Sequence, residues 1–339
     1  MPTIEYRPWG ILPALLPKIG PLNWSLLGAI STEDRCLAAW EFLRDSGSLG
    51  YCRMLQIDDD KSAYQAEVAA KTAAMSERFV REGGSLDSRI QLSLFARFGD
   101  VVEIAQDFAA NGGDNLIVDI SSLPKRFFFA FIRFLRERCT APNIVVTCSM
   151  PSRYATDGKP LAEDPEPWRH LPGFMQADPE PENPLVIIGI GYESLGLTTI
   201  FESGGFRNSD IKMLLPFPSQ PSGVERNWEF VRELSAYVNN TASTVERVDA
   251  RDVSETFQYI RRLANHGERY AVLAPFGPKS LSLAMCLYAT APATRPHSTV
   301  FYTQPRAYHP AYSSGVAQVG QYPEIYAYCV RLAGRDLYE

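Results

Sequence analysis

One string of residue types occurs twice in this chain, and it restricts the fold more than any other feature. Residues 115–136, NLIVDISSLPKRFFFAFIRFLR, and 270–289, YAVLAPFGPKSLSLAMCLYA, each run from a short apolar segment through a tight turn into an apolar helix. Both turns end in a Pro-Lys pair. Each copy then leads to a strand followed by a Thr, Pro, Arg, Tyr cluster: Thr147, Pro151, Arg153 and Tyr154 in one, Thr303, Pro305, Arg306 and Tyr308 in the other. Tyr154 follows Lys125, and Tyr308 follows Lys279, by the same 29 positions. A strand feeding a helix N-terminus presents free backbone N–H groups and the positive end of the helix dipole, which together favour an anion. Gly277 permits close backbone approach, Pro278 suits the first helical turn, and Lys279 adds a cation. The expected ligand is anionic and nucleotide-like.

Around these strings, strand and helix patterns alternate. In the first half, strands are expected at 22–30, 51–57, 90–96, 116–120 and 144–148, with helices at 35–45, 61–82, 100–110 and 124–138. The second half repeats the order, with strands at 185–190, 211–217, 245–248, 270–275 and 299–303 and helices at 194–202, 224–239, 253–265 and 279–289. Between them, 151–184 carries eight prolines and reads as a linker or lid that packs down through its PWRHLPGF core. The expected fold class is therefore α/β: two tandem Rossmann-like domains related by internal duplication. Each would be a five-stranded, mainly parallel sheet with helices on both faces. The expected boundaries are an N-terminal arm at 1–21, domain 1 at 22–150, the linker at 151–184, domain 2 at 185–318 and a C-terminal segment at 319–339. A length of 339 residues suits two domains of about 150 each.

Composition narrows the partners. A net charge of −6 argues against binding bulk nucleic acid, which calls for a basic surface, though local lysines could still hold one small anion. No apolar run reaches the roughly 20 residues of a membrane span, and the proline-broken first twenty residues read as an arm that packs on the body. Six scattered cysteines without a CxxC pair read as reduced thiols, hence a cytoplasmic protein. The histidines His170, His266, His297 and His309 have no ligand-like spacing, so zinc is not expected. Asp58, Asp59 and Asp60 could hold a divalent ion, but the run reads as a solvated cap, and no metal is expected. Gly189, Gly191 and Gly196 approach a dinucleotide fingerprint with the third glycine two residues late, so no nicotinamide or flavin cofactor is expected; Walker loops and GxSxG are absent.

Right-handed crossovers bring the turns after the first and fourth strands to one edge of each sheet. Those turns hold Ser31, Thr32, Glu33 and Ser121, Ser122, Lys125 in the first half, and Gly191, Tyr192, Glu193 and Gly277, Lys279 in the second. Glu33 and Glu193 occupy equivalent places. They could bind ribose, serve as a base, or merely favour a helix N-terminus. Asp119, at a strand end, is the first half's candidate catalytic group, with Glu193 the candidate in the second. Its counterpart by spacing is Leu273, so the halves cannot share that chemistry, and Asp119 could instead cap the Ser121-Ser122 turn. Arg153, Tyr154, Arg306 and Tyr308 could stack on a base and hold a phosphate, or simply pack the strand end.

A Rossmann-like unit whose first and fourth turns face the ligand, with Gly277-Pro278-Lys279 in the latter and Gly189 to Glu193 in the former, resembles the CRISPR-associated Rossmann fold (CARF). Two such units in one chain resemble the related fused SAVED-like sensors of bacterial antiphage signalling. The resemblance implies a cyclic oligonucleotide bound between paired units and a separate effector chain as protein partner, and it leaves a homo-oligomer open. Pro278 departs from the family's threonine, and Leu123-Pro124-Lys125 lacks the glycine. Beside the sensor stand two alternatives: an enzyme hydrolysing or transferring part of a nucleotide at the same crevice, and a structural subunit of a larger assembly.

Overall fold

The computed structural model describes residues 6–20, 23–58, 62–155, 159–175, 181, 183–203, 206, 209–219, 221–237 and 243–339. The chain divides into one compact unit of residues 1–159 and 307–337 and a second of residues 160–306 with 338–339.

In the first unit, five parallel strands come from the expected alternation. Trp24–Ile30 pairs with Leu49–Asp58 on one side and Asn115–Asp119 on the other; Arg89–Ser93 lies beyond the former and Asn143–Ser149 beyond the latter. Numbered along the chain, the order is 3-2-1-4-5, with the switch point between Trp24–Ile30 and Asn115–Asp119. Trp24–Ile30 is buried at all seven positions, as a central parallel strand covered on both faces must be. Arg89–Ser93, at the edge, is largely open. Two further strands extend the fifth-strand side: Ile325–Leu332 runs antiparallel to Asn143–Ser149, and Trp9–Ile11 runs antiparallel to Ile325–Leu332. Below the sheet, Leu26, Leu37, Leu43, Trp40 and Phe79 share a core, with the Trp40 and Phe79 rings 4.6 Å apart.

The second unit repeats the order. Leu185–Gly189 pairs in parallel with Asp210–Phe217 and Ala271–Pro275; Ser243–Asp249 and Ser298–Tyr302 flank them, and Arg169–His170 adds an antiparallel edge. The helix Lys279–Thr290 is buried at every position after its first. That explains its all-round apolar sequence: it is a core helix with no solvent face to supply. Phe230, Leu234, Ile188 and Val186 belong to the core on the sheet.

The α/β class and both sets of five parallel strands are as expected from sequence, but the boundaries differ. Ile325–Leu332 belongs to the first unit, because its backbone completes the edge of that sheet, whereas 319–339 reads from sequence as a trailing segment. The second unit begins at residue 160, inside the expected linker, and ends at 306 rather than 318. The N-terminal arm does pack down, as Trp9–Ile11 and the helix Leu12–Ile19. None of the six cysteines is bridged; burial pushes the Cys36, Cys52 and Cys329 thiols up to about 12, which keeps them unreactive. Among the described residues no helix is long and apolar enough to cross a membrane, and no group of three or more His, Cys, Asp or Glu could hold a metal ion. Asp59 and Asp60 lie outside the described residues, while Asp58 accepts a hydrogen bond from the Gln91 amide.

Candidate functional site

The 3-2-1-4-5 order sets the turn after the first strand beside the turn after the fourth in each unit, because those strands are neighbours that lead to helices on opposite faces. In each unit the switch point therefore lies between these two turns.

In the first unit the switch point holds a buried polar network. Ser121 and Thr147 donate their hydroxyls to Asp119 Oδ1 at 2.7 and 2.9 Å, and the Ser149 N–H donates to Ser121 Oγ at 2.7 Å. Asp119 is 1% exposed and its Oδ2 makes no hydrogen bond. Burial pushes its carboxyl up to about 6, against the opposing pull of the two hydroxyls and the Arg35 charge. A base that touches substrate needs an open oxygen, and this carboxylate has none. What it does hold is the Ser121 turn, the capping alternative above.

The first turn is organised by a residue that sequence reasoning missed. Arg35 is 4% exposed, donates to Glu33 through Nε at 2.9 Å and Nη2 at 2.8 Å, and reaches the Ser149 carbonyl through Nη1 at 3.0 Å. It ties the first turn to the fifth strand, and Glu33 is thereby neutralised inside its own unit. No spacing signal marked it, since Arg35 is the second residue of the short helix Asp34–Leu37, an ordinary place for a charged side chain. Ser31 Oγ accepts from the Glu33 N–H at 3.2 Å, Ser122 Oγ donates to the Ala29 carbonyl at 3.3 Å, and Thr32 is half-buried beside them. Lys125, half-buried, stands at the first position of Lys125–Arg138.

The stretch 307–316 lies over the first turn. Ser313 donates its hydroxyl to Glu33 Oε2, and the Gly315 N–H donates to Asp34 Oδ2 at 2.8 Å. Arg153–Tyr154 pairs with Ser313–Ser314, Arg153 Nε donates to Ser314 Oγ at 2.8 Å, and the Tyr154 ring meets Tyr312 edge-on at 5.9 Å. Lys71 Nζ holds the Pro310 carbonyl at 3.1 Å.

In the second unit the glycines of the two turns serve each other. A Cβ on Gly191 would lie 2.5 Å from the Phe276 carbonyl oxygen, and one on Gly277 would lie 2.9 Å from that of Ile190. A Cβ on Gly189 would lie 3.0 and 3.2 Å from the Leu281 and Met285 side chains, and Gly196 is left-handed at φ +73°. Packing and turn geometry account for these four glycines. Lys279 stands half-buried at the first position of its helix. Tyr192 lies under the Arg226 guanidinium at 5.9 Å, and Glu193 Oε1 accepts from the Leu161 N–H at 3.0 Å with Arg226 at 3.9 Å. Burial raises the Glu193 carboxyl. Here too a segment covers the turn: Trp168 Nε1 donates to the Leu195 carbonyl at 3.0 Å, and its ring packs on Phe276 and Phe301 at 4.8 and 5.5 Å.

Arg306 pairs with Asp164 at 4.0 Å, and Tyr308 is the last residue of the strand Pro305–Tyr308.

No family model matches this chain, and neither does any curated protein. Among solved structures it is similar to a protein entitled a universal stress protein from Pseudomonas aeruginosa UCBPP-PA14, at 16% identity and a TM-score of 0.24, over 83% of this chain and 93% of that one. A functionally unknown protein from Pseudomonas aeruginosa PAO1 is similar at 15% identity and the same TM-score, over 83% and 92%. Likeness of that degree decides nothing about function, and the fold class rests on the strand order itself.

Proposed function

We propose that the protein binds a nucleotide-like anion at the switch point of the second unit, as a sensor rather than an enzyme. The observation that carries this reading is the turn of Phe276, Gly277, Pro278 and Lys279, which closes the strand beside the switch point. Lys279 opens a 12-residue helix with no acidic residue in its first turn, so its own sequence does not compete for the positive end. Lys125 opens the equivalent helix of the first unit, likewise with no acidic residue in its first turn. The shared strand order supports an origin of the two units by internal duplication. Binding is favoured over turnover because Asp119 is out of reach of any substrate and Glu193 already holds a backbone N–H. In its narrow form the reading is a cyclic oligonucleotide sensor that reports to a separate effector in antiphage defence, the role implied by the CARF resemblance.

Calorimetry with mononucleotides and cyclic di-, tri- and tetranucleotides tests it. At least one of them is expected to bind, and Lys279→Ala should weaken it about tenfold, the scale of one lost charge-assisted contact. Failure of the whole panel would remove the proposal. Turnover of a bound nucleotide, abolished in Glu193→Gln, would replace the sensor with the enzyme.

A further inference from the structure

Both switch points share a second feature, found independently in each unit: the first-turn carboxylate is occupied by a segment that lies outside the five-strand alternation. In the first unit Glu33 accepts from Ser313, and the adjacent Asp34 accepts from the Gly315 N–H. In the second, Glu193 accepts from the Leu161 N–H. The Glu33 side chain is 12% exposed and that of Glu193 27%, and in each the oxygen nearest the strap is already taken. Each strap is also anchored farther along, through Pro310 and Tyr312 in one unit and through Trp168 in the other.

We propose that Glu33 and Glu193 are latches that hold these straps closed over the switch points, and that a ligand enters the second unit only when the bond between Leu161 and Glu193 opens. The ligand half of this statement rests on the binding role proposed above; the latch itself rests on geometry alone. A backbone N–H on a carboxylate is among the stronger hydrogen bonds, and in the second unit it stands ahead of the pairing of Ala162–Pro165 with Pro305–Tyr308 and of the Glu166 N–H on the Gln304 carbonyl, so the latch is the first of several bonds that set the fraction open. A ligand that binds only the open form has its affinity reduced by that fraction. Removing the latch should therefore tighten binding, whereas removing a ribose contact or a base would weaken it or leave it unchanged.

Hydrogen exchange of the full chain, followed by mass spectrometry, tests the latch without any ligand. In Glu193→Ala, residues 159–168 should exchange about tenfold faster while strand Leu185–Gly189 keeps its protection. Glu33→Ala should do the same for 310–316. Glu193→Gln, which keeps an acceptor oxygen, should fall between wild type and alanine, and Glu229→Gln, on an exposed ion pair, should match wild type. Unchanged exchange at 159–168, or equal acceleration of Leu185–Gly189 in both Glu193 variants, would overturn the proposal. ATP and a cyclic triadenylate serve as binding probes: an affinity higher in Glu193→Ala than in wild type is expected, and a lower or unchanged one sinks the gating role. If neither probe binds any variant, the nucleotide reading falls while the exchange result still decides the latch.

Discussion

Asp119 keeps one carboxylate oxygen bonded to two hydroxyls and the other bonded to nothing, both out of water, and ionising such a group is costly. Its carboxyl is pushed up from 3.8 to about 6 in the folded protein. The folded state thus holds this proton more tightly than the unfolded chain. The stabilisation is complete below about pH 4 and is lost as pH rises through about 6, an upper scale of about 3 kcal/mol. Urea midpoints at pH 4.5 and 7.5 should therefore show a loss of stability at the higher pH that Asp119→Asn largely removes; parallel slopes in the two proteins would contradict it. Gly191 makes a sharper case at the same scale. A methyl there meets a carbonyl oxygen of the neighbouring turn at 2.5 Å, and backbone cannot swing away as a side chain can. Gly191→Ala should cost about 2 kcal/mol, read from the same midpoints.

Among the elements, Ile325–Leu332 shows how position in a fold can outweigh position in sequence. Its residues, IYAYCVRL, form an apolar, β-favouring run of strand length, and that was the available signal. No local pattern could say which sheet it would join. Two arginines fasten it: Arg331 donates to the carbonyls of Arg136, Cys139 and Ala141 at the end of Lys125–Arg138, and Arg136 pairs with Asp336 through two contacts of 2.9 Å. The Arg136 side chain is only 2% exposed, so Asp336→Ala strands a buried guanidinium without its carboxylate. A loss of about 3 kcal/mol is expected in chemical denaturation, and a variant within 0.5 kcal/mol of wild type would show that the pair is not holding the strand.

For the whole molecule, the chain builds most of one unit, builds the other, and returns to finish the first. A fragment of residues 1–159 lacks the strand at 325–332 and leaves the edge of Asn143–Ser149 unpaired, a template for aggregation. It is expected to show unprotected amides at the alternate positions of 143–149 that face away from Asn115–Asp119 in hydrogen exchange, and added peptide 307–337 should restore their protection. A fragment protected without the peptide would mean that the five parallel strands suffice.

The alternation of short apolar strands with helices, the doubling of that pattern and the meeting of two turns at one sheet edge were all written in local residue order. Periodicity and turn chemistry act over a few residues and do not depend on what lies far along the chain. The tertiary structure alone decided that Arg35 would be buried against Glu33 and that the glycines of the second unit would make room for each other's carbonyls. It also decided that both first-turn carboxylates would be met by straps arriving from elsewhere in the sequence. Those are pairings between residues as many as 280 positions apart, and a hydrogen bond is set by where its two ends arrive, which no local pattern records.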